Sequence, residues 1–115
     1  MSKSIPLGEK AVAISGIGLS EVTRSATRSG LSMTVSACLD AIKDAGLDRS
    51  RIDGLSSWPG VVADTSGKSP VSIQDIKNAL GLNLDWYSAG YELPGQLGAI
   101  VNAIAAISAG FARHV

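Results

Sequence analysis

Apolar and polar positions follow two different periods along the chain, and the changes of period divide it into strands and helices. A short apolar run over 10–15 ends in Gly16-Ile17-Gly18, which predicts a buried strand and the turn after it. The Ser-, Thr-, Arg- and Gly-rich stretch 19–30 predicts a surface loop. From residue 31 the apolar positions follow the helical period, and Gly46 stands where a helix cap is expected. The apolar face of this helix consists of Leu31, Val35, Cys38, Leu39, Ile42 and Ala45.

The middle of the chain predicts a strand, a loop and a short helix. An extended segment over 52–58 is followed by Pro59-Gly60, and the polar stretch 63–70 has no periodicity. Ser72 and Asp75 have the spacing of a capping box, with Asp in place of the usual Glu or Gln. A helix is therefore expected next, with one apolar face formed by Ile73, Ile76 and Leu80 and with Gly81 closing it.

A short strand over 84–88 and a helix after Pro94 complete the pattern. The last helix ends near Ile107-Ser108-Ala109-Gly110 and has almost no polar face, with Asn102 and Ser108 as the exceptions. A helix that is apolar all round is buried all round, and 115 residues offer little to cover its second side. The alternation of strands and helices predicts an α/β layered fold with a three-stranded sheet and helical crossovers.

Composition and charge exclude several classes of protein. Ten basic and ten acidic side chains cancel without any block of like charge, which disfavours a nucleic-acid or membrane-surface partner. One cysteine excludes an internal disulfide and a cysteine-based metal site. The first ten residues lack the apolar core of a signal peptide, and the run 97–107 is too short to span a bilayer. A single cytoplasmic domain without a membrane span is therefore expected.

Few side chains are placed for chemistry. Glu21 stands at the third glycine position of a dinucleotide fingerprint, so the Gly-x-Gly turn predicts a plain strand exit. Cys38 lies on an apolar helix face, where a cysteine behaves as a small hydrophobe. His114 is the only histidine and is expected at the surface or a strand edge. Arg24 and Arg28 are expected to be solvated loop charges rather than phosphate ligands.

The segment before the last helix contains Tyr91-Glu92-Leu93-Pro94-Gly95. Unpaired N–H groups and the dipole at a helix N-terminus favour an anion or a developing oxyanion. The simpler interpretation is that Glu92 complements the helix dipole and Pro94 occupies the first turn. Trp58 and Trp86 are expected in the core or at an interface.

Three segments resemble the thiolase-like superfamily, in its sterol-carrier-protein-X and lipid-transfer-protein branch. Ala11-Val-Ala-Ile-Ser-Gly-Ile-Gly18, with Ser20-Glu21, is similar to the first strand and its exit. Ala41-Ile-Lys-Asp-Ala-Gly-Leu-Asp48, with Ile52-Asp53-Gly54-Leu55, is similar to the first helix and second strand. Residues 95–110 are similar to the helix that follows the nucleophile.

The resemblance implies an α/β fold that is the N-terminal part of a thiolase-like fold, a layered βαβαβ arrangement with a buried apolar helix, truncated within one half. Residues 1–115 would form a partial N-terminal domain, and a fourth strand would begin near 113–115. Family members have two such halves and dimerise with the inner helices buried. The parent enzyme would act on lipid or steroid side-chain acyl-CoA substrates, with no separate cofactor, and the isolated chain would be inactive.

A thiolase carries an acyl-accepting cysteine where this chain has Leu93, or Glu92 if the alignment slips by one residue. This departure resembles the steroid side-chain aldolases of the same branch. They lack the cysteine, cleave a carbon–carbon bond of a β-hydroxyacyl-CoA and work with an OB-fold, acyl-CoA-binding partner. By analogy, Tyr91, Glu92, Leu93, Pro94 and Gly95 are assigned to the acyl-CoA pocket, and no catalytic residue is assigned.

Two other functions stay open. A true thiolase with a nucleophile elsewhere would need a reactive cysteine, and Cys38 is the only cysteine in the sequence. A non-catalytic subunit would instead use the helix of 95–110 to pair with a thiolase-like partner. Acyltransferase and aldolase chemistry are both compatible with the resemblance.

Overall fold

A computed structural model describes residues 12–58, 71–90 and 95–115. The elements are helix α1 (Gly30–Asp44), a 3-10 turn (Arg49–Arg51), strand β1 (Gly54–Ser57), helix α2 (Ile73–Leu80), strand β2 (Trp86–Ala89) and helix α3 (Gln96–Ser108). The two strands pair in parallel, with Leu55 opposite Tyr87 and Ser57 opposite Ala89. The chain is thus a mixed domain of helices around a two-stranded parallel sheet.

The helix boundaries agree with the sequence pattern because local signals set them. The hydroxyl of Ser29 accepts the N–H of Ser32, and Ser72 accepts the N–H of Asp75, so both N-termini are capped by side chains. The three helices of the described residues end in the same motif, in which the N–H of the residue after a glycine bonds back to the carbonyl five residues earlier. That motif needs a left-handed residue, and Gly46, Gly81 and Gly110 supply it.

The sheet separates two helical layers. Because side chains alternate along a strand, Leu55 faces one side of the sheet and Ser56 the other. Leu55 packs with α1 and α2 on the core formed by Val71, Ile76, Leu80 and Leu82. The Ser56 hydroxyl instead donates to the carbonyl of Ala99 at 2.7 Å, so α3 lies on the opposite face. The described residues therefore form three layers, helices on each side of two strands.

The predicted strand over 10–15 is wrong for residues 12–15. They form no strand, and Ile14 is 74% exposed. A strand needs a hydrogen-bonded neighbour, and a cleft of about 490 Å³ lies between this segment and β1. The segment is held to α1 instead, where the Ile17 N–H donates to the Asp44 carboxylate at 3.0 Å. The predicted three-stranded sheet is consequently a two-stranded one in the described residues.

The close contact with α1 explains two glycines. A Cβ on Gly18 would meet the carbonyl oxygen of Ala37 and would lie 2.6 Å from the amide nitrogen of Ala41. A Cβ on Gly16 would likewise clash one turn further along, with the backbone of Ala41 and Ala45. The Gly-x-Gly sequence therefore allows close packing of backbone on backbone, and residues 12–15 before it do not form the expected strand.

Two predicted burials also need correction. Leu39 is 43% exposed, although Leu31, Val35 and Cys38 of the same predicted face pack against the core. In α3 only Gly98 and Ala106 are buried, so the helix is not covered all round. Its inner face contacts the sheet, while Leu97, Ile100 and Val101 face outward at 57%, 44% and 53% exposure.

The segment after α3 lies beside the start of β1 and is not a strand in the structure. The carbonyl of His114 accepts the N–H groups of Asp53 and Gly54, both at 3.1 Å. Where the fourth strand was predicted to begin, residues 113–115 form no strand, and the two bonds to the His114 carbonyl are their backbone contact with the start of β1. Among the described helices, none is long and apolar enough to cross a membrane.

Candidate functional site at the strand ends

The expected pocket residues follow β2 at its carboxyl end. Tyr91, Glu92, Leu93 and Pro94 lie outside the described residues, and Gly95 is the member of the set that the structure describes. Gly95 is buried and is the N-cap residue of α3, with φ 70° and ψ −126° and no side-chain capping bond. This positive φ favours glycine. Any other residue at position 95 would therefore strain the backbone at the start of α3.

Trp58 is the neighbour of Gly95. Its ring atoms Cε2, Cδ2 and Cζ2 lie 3.6–3.7 Å from the position that a Cβ on Gly95 would take. This separation is ordinary van der Waals contact, so the half-buried indole packs directly on the glycine. The sequence indicated only a core or interface role for Trp58, because residue type alone does not show which strand end meets which helix.

The parallel register places both strand ends at one edge of the sheet. Ser57 is opposite Ala89, so Trp58 and Gly90 leave the sheet side by side. Ligands of open parallel α/β sheets bind outside the carboxyl ends of the strands. The arrangement of Trp58, Gly90 and Gly95 is therefore the candidate site of the described residues.

Hydrogen bonds fix α3 to the sheet below this edge. The Ser56 hydroxyl donates to the Ala99 carbonyl, and the Asn102 side-chain amide donates to the Ser88 hydroxyl at 3.4 Å. Ser56 and Ser88 are a register pair, so adjacent positions of the two strands both contact α3. The first turn of α3 is thus positioned by both strands.

Two comparisons identify relatives. The chain is 36% identical over 106 residues to a steroid side-chain-cleaving aldolase of Thermomonospora curvata, a match that covers 91% of this chain and 25% of the relative. A solved structure described as the Ltp2-ChsH2(DUF35) aldolase superposes with a TM-score of 0.72 at 35% identity, covering 87% of this chain. The chain is related to steroid side-chain-cleaving aldolases. No family model matches it.

The matched relatives are about four times as long as this chain. It spans 25% of the curated relative and 25% of the solved chain. The similarity supports the aldolase branch of the resemblance described above.

Cys38 does not have the surroundings of a nucleophile. It packs on α1 against the core, and burial raises the pKa of its thiol. A reactive cysteine needs a positively charged or exposed environment that lowers its pKa. The packing matches the structural role expected from the sequence.

His114 acts through its backbone. Its N–H donates to the Asp53 carboxylate at 2.9 Å, and its carbonyl accepts the N–H groups of Asp53 and Gly54 at the start of β1. The expectation of a strand-edge position is confirmed. Within 12–58, 71–90 and 95–115, no group of three or more His, Cys, Asp or Glu side chains could hold a metal ion.

Arg28 of the loop 19–30 is paired with an acidic residue of the same loop. Arg28 forms a two-pronged ion pair with Glu21, at 2.9 Å and 2.6 Å, and its N–H bonds lower the pKa of that exposed carboxyl. Arg28 is therefore engaged with Glu21. The residue at the third position of the supposed dinucleotide fingerprint is the partner of this arginine.

Asp53 was not identified by sequence reasoning. It precedes β1, and its carboxylate accepts N–H groups from Arg113 and His114 while its backbone carbonyl accepts those of Asp85 and Trp86. Burial alone would raise its pKa, but the N–H bonds of His114 and Arg113 outweigh that effect and lower it. In the sequence it stands in Ile52-Asp53-Gly54-Leu55, one of the segments that carry the resemblance, and an Asp before Gly is equally typical of a turn.

The cleft described above is not at the candidate site. Its walls are mostly apolar, with Ser15, Ser56, Arg113 and His114 among them, and neither Trp58 nor Gly95 contributes to it. The cleft is open space beside the free edge of β1. Within 12–58, 71–90 and 95–115, no strand pairs with this edge.

Proposed function

We propose that this chain is the N-terminal domain of an enzyme that cleaves a carbon–carbon bond in the side chain of a steroid or lipid acyl-CoA. The observation that carries the proposal is the 36% identity to a steroid side-chain-cleaving aldolase over 106 residues, nearly the whole chain. Leu93 at the position of a thiolase nucleophile supports an aldolase over an acyltransferase, because leucine cannot be acylated.

The reaction would be a retro-aldol cleavage of a β-hydroxyacyl-CoA. A base takes the proton of the β-hydroxyl, the bond between the α and β carbons breaks, and a carbonyl compound leaves. The electron pair passes to the α carbon as the enolate of the thioester, which then takes a proton to give the shortened acyl-CoA. The acid and base are proposed to lie in the part of the relatives that this chain does not span.

The role of this domain would be to bind and orient the substrate. Tyr91, Glu92, Leu93, Pro94 and Gly95 are the proposed pocket residues, at the edge where β1 and β2 end. Gly95 supports this position because it is buried against Trp58 at the start of α3. The proposed partner is an OB-fold, acyl-CoA-binding protein, since the similar solved structure is described as a two-component aldolase.

A chimaera tests the proposal. The aligned N-terminal region of the Thermomonospora curvata aldolase is replaced by this chain, and cleavage of a steroid β-hydroxyacyl-CoA is followed together with the partner protein. We expect measurable cleavage by the chimaera and none by the relative without its N-terminal region. A folded chimaera that binds the partner but cleaves no substrate would contradict the proposal.

A second candidate is a non-catalytic subunit, favoured by the outer face of α3. Leu97, Ile100 and Val101 are exposed there, and the helix carries no charge. Exposed apolar patches on such a face are typical of interaction surfaces. Light scattering after size exclusion, with and without the full-length relative, tests it. A specific complex without any change in the turnover of the relative would favour this function.

A further inference from the structure

We draw no further inference here: the strongest candidate, the mostly apolar cleft of about 490 Å³ between residues 12–17 and the free edge of β1, carries no proposal, because nothing in the described part of the chain shows what covers it.

Discussion

The carboxylate of Asp53 accepts the backbone N–H of His114 at 2.9 Å, across 61 positions of the chain. The same carboxylate accepts the N–H of Arg113 at 2.9 Å, and the His114 carbonyl returns bonds to the N–H groups of Asp53 and Gly54. Because Asp85 and Trp86 donate to the Asp53 carbonyl, one residue joins the chain after α3 to both strands. At the beginning of the sheet, Asp53 therefore links the two strands to the segment that follows α3.

Replacing Asp53 by Asn tests how much these hydrogen bonds stabilise the fold. Asn offers one weaker acceptor in place of a charged carboxylate, so we expect the free energy of unfolding to fall by about 1–3 kcal/mol at neutral pH. Urea unfolding measures it. D48N is the matched control, because the exposed Asp48 carboxylate accepts from its near neighbour Ser50, in the 3-10 turn, and does not join distant parts of the chain. A loss in D53N no larger than in D48N would contradict the role of Asp53.

The pH dependence has a defined sign. The folded-state pKa of Asp53 is lowered from 3.8, so its contribution is fully present above that value and is lost as the pH falls through the lower, folded-state pKa. The stability difference between wild type and D53N should therefore close in acid below 3.8. The pKa values of Glu21 and Asp48 are also lowered, but both residues are present in wild type and in D53N, so their contributions cancel in the difference. A gap that persists in strong acid would mean that the carboxylate charge is not its source.

Gly18 should tolerate no side chain. A Cβ there meets the backbone of α1 at Ala37 and Ala41, which cannot yield as a flexible side chain would. We expect G18A to destabilise the fold by about 1–3 kcal/mol and to speed hydrogen exchange at the Ile17 amide, which bonds to Asp44. S20A is the control, since the Ser20 hydroxyl contacts only the neighbouring Glu21 carbonyl. Equal exchange at Ile17 in both variants would argue against the contact.

Ser56 anchors α3 through a side chain. Removing its hydroxyl leaves the Ala99 carbonyl without that donor, so S56A should cost about 1 kcal/mol of unfolding free energy. The variant S57A, one position along the same strand, is the comparison. We also expect faster exchange of amides in the second turn of α3 in S56A. If S57A destabilises as much as S56A, the strand itself is the cause and the bond to α3 is not.

Cys38 should react slowly in the folded protein. Burial raises the pKa of its thiol, so less thiolate is present near neutral pH and reagent access is restricted. Iodoacetamide labelling should be at least about tenfold slower in buffer than in denaturing urea. Rapid labelling of the folded chain would restore the alternative of a thiolase with a nucleophile elsewhere.

The sequence predicted the helices well because their signals are local. Ser72 and Gly81 bracket α2, and the period from Leu31 to Gly46 locates α1 within a residue of its ends. These features depend on neighbours within one or two turns. The resemblance to the aldolases was also local in origin, carried by short segments in order.

The failures concern contacts between distant parts of the chain. An apolar run such as 12–15 becomes a strand only beside a partner, and the sequence does not say whether the partner is present. The exposed face of α3 follows from the same lack of a neighbouring layer. The bonds of Asp53 to 113–114 and the contact of Trp58 with Gly95 join residues far apart in sequence, and no periodicity encodes them.

The bond between Asp53 and His114 also sets a time for folding during synthesis. Ribosomes add about 5–20 residues per second, so the N–H of His114 follows Asp53 by about 3–12 s. During that interval the Asp53 carboxylate lacks the N–H donors of residues 113 and 114, and α3 is still being synthesised. The contacts at the start of the sheet therefore complete only once residue 114 has been added, and until then the apolar surfaces of this part of the chain are available to chaperones.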